Sequence, residues 1–263
     1  TRRLEISGRI RSGETDTIQI AQRDPVRMAS GALLGALERR GIQVRKGLRI
    51  AWEAGEPVGT GGCTTGWWTL DTLAAGHECP DTALLASLTS PPMAEIAKAI
   101  LEPSQNWMTE QLVKTLGAER GEEGSWREGF RVEQKFFSDV IGVDSLDIFY
   151  QDGSGLSAYN LVTPRALVRI LEFMGNSAHS RVFKDALASP GEDPSTLRRR
   201  LLPLQGRLFG KTGTINHVNS LSGYLVTSSG RELIFSVLTN GSGLPSGGVR
   251  RGIDQILEAV ARH

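Results

Sequence analysis

Gly206-Arg207-Leu208-Phe209-Gly210-Lys211-Thr212-Gly213-Thr214 can be read in two ways, and the choice decides the fold. A phosphate-binding loop needs four residues between its glycines before Lys-Ser/Thr, and it must open a helix whose N-terminus holds the phosphates. Here three residues separate Gly206 from Gly210, Gln205 stands where the first glycine is needed, and the residues after Thr212 are patterned as strand and turn. Nucleotide binding is therefore the lesser reading. On a strand, Lys-Thr-Gly suits the wall of a site. Gly213 lets a substrate backbone come close, the Thr212 and Thr214 hydroxyls can hold a carboxylate, and Lys211 supplies positive potential. An ordinary sheet edge with a surface lysine would look the same in isolation.

The surrounding pattern favours the strand. Leu208–Ile215, 220–227 and 233–239 are apolar segments separated by turn signals such as Ser228-Ser229-Gly230, and they predict consecutive strands. Residues 249–261 place Ile253, Ile256, Leu257 and Val260 on one helical face. Upstream, helices are predicted at Met93–Leu101, 106–116, 125–141 and 164–174, with Asp152-Gly153-Ser154-Gly155-Leu156-Ser157 as a turn of small polar residues. Before Ser90-Pro91-Pro92 the texture is different. Two short strands are predicted within 1–20, then a helix opened by Asp24-Pro25, carrying Met28, Ala32, Leu33, Ala36 and Leu37 and ended by Gly41. A strand through Ile42, Val44, Leu48 and Ile50, a Gly-, Thr- and Cys-rich loop over 53–80 and a short strand at 84–88 complete that part. The expected division is a small β-rich piece, 1–90, and an α+β domain, 91–263.

Composition narrows the function classes. The 263 residues are 39% hydrophobic and 22% charged, with 30 Lys+Arg against 29 Asp+Glu. That balance gives no single-sign field for nucleic acid or an anionic membrane. Disorder, collagen and a dense disulfide scaffold are excluded, and no apolar run approaches the ~18 residues of a membrane span. Cys63 and Cys79 are either free thiols or a bridge across a 15-residue loop, which would contribute roughly 3 kcal/mol. His77, His179, His217 and His263 show no metal spacing, so no metal is expected. His217 reads as a turn residue, and Trp67-Trp68 as core packing or a sugar-stacking platform.

Ser104-Gln105-Asn106 follows one predicted helix and opens the next. Alone it reads as a helix cap, with Ser104 or Asn106 as the capping side chain. Ahead of a Lys-Thr-Gly strand it reads as the Ser-x-Asn of penicillin-interacting serine enzymes. The chain resembles the D-alanyl-D-alanine carboxypeptidase/endopeptidases of peptidase family S13, the class C low-molecular-mass penicillin-binding proteins. The resemblance is carried by the 88–96 lead-in Leu-Thr-Ser-Pro-Pro-Met-Ala-Glu-Ile, Ser104-Gln-Asn106, Asp152-Gly-Ser-Gly-Leu-Ser157 with Tyr159-Asn-Leu-Val-Thr-Pro164, and Gly210-Lys-Thr-Gly-Thr214, in the family's order and spacing. Gln105 stands where that family often has Asp, at the variable position.

The resemblance implies an α+β fold of the β-lactamase/transpeptidase-like type, an antiparallel sheet flanked by helices. It implies a serine DD-peptidase of the bacterial periplasm or outer envelope face, with no cofactor, acting through an acyl-enzyme on D-Ala-D-Ala or cross-linked stem peptides. Ser104 would relay a proton, Asn106 would hold the substrate amide and Lys211 would support the proton path. Thr212, Gly213 and Thr214 would bind the terminal carboxylate and supply an oxyanion donor. Asp152 and Ser154 would lie close to the cleft, or serve only as a structural turn. The family's nucleophile is the Ser of a Ser-x-x-Lys, and no serine here has Lys three residues on; Ser180 with Lys184 is one residue too long. The expectation is a C-terminal part of such an enzyme, with the nucleophile on another segment or chain and residues 1–90 as the tail of an inserted domain. Apolar surface should then be exposed unless a partner covers it. The expected partners are a stem peptide or β-lactam, with no nucleic acid and no transmembrane segment. The competing readings are a stem-peptide-binding homologue without catalysis and a β-lactamase of the same fold.

Overall fold

The structure, a computed structural model, describes Gly13, residues 25–45 and residues 89–263. The chain divides into two compact units, Thr1–Ser87 and Leu88–His263. The expectations for 1–20, the loop at 53–80, Cys63, Cys79, His77, Trp67-Trp68 and the strand at 84–88 lie outside the described residues.

In the first unit, helix α1 spans Pro25–Arg39. Gly41, at φ 76°, closes it with the paired bonds of a Schellman motif: Gly41 N–H to the Glu38 carbonyl and Ile42 N–H to the Leu37 carbonyl. The strand expected from Ile42 does not begin there. Residues 42–44 are irregular, and Ile42 and Val44 are exposed, with no neighbouring strand to pair with among the described residues.

The second unit opens with α2 (Met93–Leu101) and α3 (Asn106–Arg120). Helix α4 (Trp126–Phe136) is capped by Ser125, whose hydroxyl accepts the Glu128 N–H at 3.2 Å. The single helix expected over 125–141 changes character at its end. Residues Phe137–Ile141 form a π-turn, closed by Gly142 at φ 75°. Two short strands, β1 (Ile148–Phe149) and β2 (Leu161–Val162), pair antiparallel around the Asp152 turn. Helix α5 (Pro164–Gly175) has Thr163 as its cap and Pro164 in its first turn. A short helix, α6 (Ser180–Ala186), follows.

The sheet is β3 (Leu208–Ile215), β4 (Val218–Val226) and β5 (Glu232–Asn240), antiparallel in that order. Asn216 and His217 make the first turn, and His217 takes a positive φ of 60° there. The last helix, α7 (Ser246–Val260), starts three residues earlier than its apolar pattern.

Alternation along the strands sorts side chains into two layers. Leu208, Leu221 and Leu225 pack with Val249, Ile253 and Leu257 of α7 and with Leu197, Leu201 and Leu204. Phe209, Tyr224 and Ile234 face the other way, onto Leu171 of α5 and Phe183 and Leu187 at α6. Tyr224 is buried there and donates its hydroxyl to the Leu171 carbonyl at 2.6 Å. The result is an α+β layer arrangement, with helices on both faces of an antiparallel sheet. Apolar side chains remain exposed on its surface, among them Trp107, Leu146, Tyr159 and Leu161.

Candidate active site

Three residues past α2 the chain takes the left-handed conformation. Ser104 has φ 63°, and the Gln105 N–H after it returns to the Ile100 carbonyl at 2.8 Å. That closure turns the chain directly into α3. Gln105, not Ser104 or Asn106, stands at the cap position of α3, and no side chain caps it. The capping reading is thus corrected: with the backbone turned this way, the Ser104 hydroxyl is directed across to β3. It lies 2.6 Å from the Lys211 ammonium, which also donates to the Thr212 carbonyl at 2.9 Å. Two residues 107 positions apart in the chain are joined at the centre of the candidate site.

Lys211 has no ion-pair partner among the described residues, and burial lowers its pKa to about 8. A desolvated ammonium without a counterion gives a strong local field for an arriving anion. The neighbouring side chain points to the opposite sheet face, where the Thr212 hydroxyl donates to that of Thr196 at 2.9 Å. The Thr196 N–H in turn bonds the carbonyl of Glu102, at the end of α2. Thr196 therefore ties the strand to the segment carrying Ser104. No local pattern singles it out in the sequence.

The edge of β3 is arranged for a further chain. Gly210 and Ala188 exchange both backbone hydrogen bonds at 2.9 Å on the side away from β4. Backbone groups alternate along an antiparallel strand, so those of Thr212 and Thr214 face that same outer side. Lys211 and Gly213 turn theirs inward, opposite Ser222 and Ser220. Among the described residues no strand continues the pairing past the Ala188 bridge. An extended substrate laid along this edge meets the Thr214 N–H, with Gly213 offering no side chain.

Asp152 and Ser154 belong to a separate cluster. The Asp152 carboxylate accepts from the N–H groups of Gly155 and Ser157 and from the Asn160 amide, all within its own turn. The N–H groups of Gly153 and Ser154 bond Glu110 of α3 at 3.1 and 3.0 Å, and the Trp126 indole donates to the same carboxylate at 2.8 Å. Gly153 is seated on α3; a Cβ there would lie 2.7 Å from Val113 Cγ2. Asn106 and Glu110 are four residues apart, so one face of α3 carries the first and anchors the turn with the second. That spacing was available in the sequence and marks Glu110 as the residue it did not single out. The Asn106 side chain is half-buried and makes no hydrogen bond with the described residues. Glu110→Ala should leave three donors without their acceptor and destabilise the protein by about 2–3 kcal/mol in urea unfolding. Glu110→Gln should cost less.

Among the described residues no group of three or more His, Cys, Asp or Glu is placed to hold a metal ion. No described helix is long and apolar enough to cross a membrane.

Comparison with known proteins bears on this geometry. The model of the D-Ala-D-Ala carboxypeptidase 3 (S13) family matches residues 65–261. The D-alanyl-D-alanine carboxypeptidase of Actinomadura sp. (strain R39) is 32% identical over 229 residues, 85% of this chain and 38% of the relative. Among solved structures, penicillin binding protein 4 (dacB) from Haemophilus influenzae, complexed with a β-lactam, aligns with a TM-score of 0.59 at 21% identity. That alignment covers 66% of this chain and 42% of that one. A penicillin G acylated predatory endopeptidase from Bdellovibrio bacteriovorus aligns at 0.52 with 22% identity, over 65% and 46% of the two chains. These likenesses give the fold as β-lactamase/transpeptidase-like. The chain covers less than half the length of each of these relatives.

Proposed function

Because the chain belongs to the D-Ala-D-Ala carboxypeptidase 3 (S13) family, we propose that it forms the Ser-x-Asn and Lys-Thr-Gly walls of a serine DD-peptidase site acting on peptidoglycan stem peptides. The observation that carries this reading is the 2.6 Å pairing of Lys211 Nζ with Ser104 Oγ beside the open edge of β3. The substrate is a peptide ending in D-Ala-D-Ala, or a cross-linked stem peptide. It adds to β3 as a strand, its terminal carboxylate held by the Thr214 hydroxyl and, once released from Thr196, by that of Thr212. Gly213 admits its backbone, and Asn106 takes the amide of the residue before the scissile bond.

These 263 residues contain no Ser-x-x-Lys, so in this reading the nucleophile belongs to a segment outside them. That serine gives its proton to the lysine of its own Ser-x-x-Lys and attacks the scissile carbonyl, and the oxyanion is met by the Thr214 N–H and one further donor. As the C–N bond breaks, Ser104 relays that proton from the Ser-x-x-Lys lysine to the departing D-Ala nitrogen, and Lys211 stabilises the hydroxyl through the transfer. Water then hydrolyses the acyl-enzyme. Asp152 fixes the turn that carries Ser154 along the cleft. Residues 1–90 are the end of a domain inserted between the nucleophile and Ser104. The site of action is the extracytoplasmic cell wall, and β-lactams are acylating inhibitors.

Intact mass after incubation of the complete protein with benzylpenicillin, followed by peptide mapping, tests this. The expected result is one covalent adduct on a peptide outside these 263 residues. An adduct on Ser104 or Ser154 would overturn the assignment of the nucleophile. Rapid release with penicillin turnover would mark a β-lactamase. D-Ala-D-Ala binding without any adduct would mark a binding protein.

A further inference from the structure

On the α7 face of the sheet, next to Thr196, lies a cleft of about 410 Å³ walled by arginines. Arg198, Arg199 and Arg200 come from the segment after Thr196, and Arg250 and Arg251 from the first turns of α7. Two of the five are compensated: Arg198 pairs with Asp193 and Arg200 with Asp254, each at 2.7 Å. Arg199, Arg250 and Arg251 have no carboxylate within ion-pair distance among the described residues. Three uncompensated guanidinium groups around one cavity repel each other.

The end of α7 adds to that field. Its cap position is Pro245, which offers no capping side chain, and Gly247 also lines the cleft. The Arg251 guanidinium lies over this first turn, 3.8–3.9 Å from where a Cβ at Gly247 or Gly248 would stand. A cation at the positive end of a 15-residue helix is placed against the dipole, an arrangement that an anion between them would reverse.

We propose that this cleft is a phosphate-binding site, distinct from the β3 edge and independent of whether the chain is catalytic. Planar guanidinium forks match phosphate oxygens two at a time. Three uncompensated charges also suit a multiply charged oxyanion better than a single carboxylate, which would leave two of them unanswered. The cleft is open and its three uncompensated arginines are exposed, so a free phosphate group can reach them directly.

Calorimetric titration of the protein with inorganic pyrophosphate, with acetate, and with vesicles containing phosphatidylglycerol separates the possibilities. Saturable one-to-one binding of pyrophosphate is expected, weakened at least tenfold in Arg199→Gln, Arg250→Gln and Arg251→Gln and unchanged in Arg262→Gln, which lies outside the cleft. Acetate should bind at least tenfold more weakly. Without ligand, the three cleft variants should melt at or above the parent temperature in low salt, because each relieves repulsion. Equal weakening by Arg262→Gln, equal affinity for acetate, or vesicle binding without pyrophosphate binding would each overturn the proposal. So would a lower melting temperature shared by all three cleft variants.

Discussion

Lys211→Met should lower β-lactam acylation of the complete enzyme at least ~100-fold while leaving the fold as stable as before, or more so. The two effects have one origin. Burial lowers the lysine from its ordinary 10.5 to about 8, which corresponds to roughly 3 kcal/mol against the charged form. Solvent screening at a half-buried site reduces this to about 1–2 kcal/mol. Methionine removes that cost and fills a similar volume, but it removes the cation facing Ser104. The pH dependence has a defined sign. Between about pH 8 and 10.5 the unfolded chain holds more protons than the folded one, so stability rises with pH across that window. In Lys211→Met that rise disappears. The acylation rate in kcat/KM terms should fall on an alkaline limb near pH 8, as the cation is lost from the free enzyme. Lys211→Arg should be slow but should lose that limb. Urea unfolding at pH 7 and pH 10, with acylation rates over the same range, checks all of these; an unchanged alkaline limb in Lys211→Arg would refute the role given to the charge.

Gly129→Ala should be the most damaging of the single-methyl additions in the helical layer, destabilising by about 3 kcal/mol. A Cβ at Gly129 would collide with the Val113 carbonyl oxygen and approach its side chain at 2.6 Å. The collision is with backbone, which has no rotamer in which to yield. A Cβ at Gly117 of α3 would meet the Gly129 nitrogen of α4 at 2.8 Å, so the two helices pack backbone against backbone there. The damage should also reach the site. Val113 lies between Gly129 and Gly153, and displacing it moves the turn held by Glu110 on the same helix. Circular dichroism melts measure the first effect, and fluorescence of Trp126, bonded to Glu110, measures the second.

The sheet was legible in the sequence because its strands are long and bounded by turn residues. The pattern delimits Leu208–Ile215 to the residue and the two strands after it to within two. Helix starts were legible wherever a capping side chain or proline signals them, as at Ser125 and Thr163-Pro164. The two-residue strands β1 and β2 are too short to show a period, and α6 lacks a capping side chain. The π-turn at Phe137–Ile141 continues the helical pattern without a break in composition, so only the backbone reveals it. Within the site, Ser104 and Lys211 were found through motif and spacing. Thr196 was not, because its role depends on a contact across the sheet edge that leaves no trace in the local sequence.

Ser104 sits in a backbone conformation that glycine adopts freely and that costs other residues about 1–2 kcal/mol. For the backbone alone, even after the greater freedom that glycine would regain on unfolding, glycine at 104 would be the less strained residue. The hydroxyl, in contact with Lys211, is what glycine could not supply. Fold and chemistry therefore pull in opposite directions at one position. The backbone would favour glycine, but the buried ammonium and the proton path both need the serine hydroxyl, so the turn keeps serine and carries its strain.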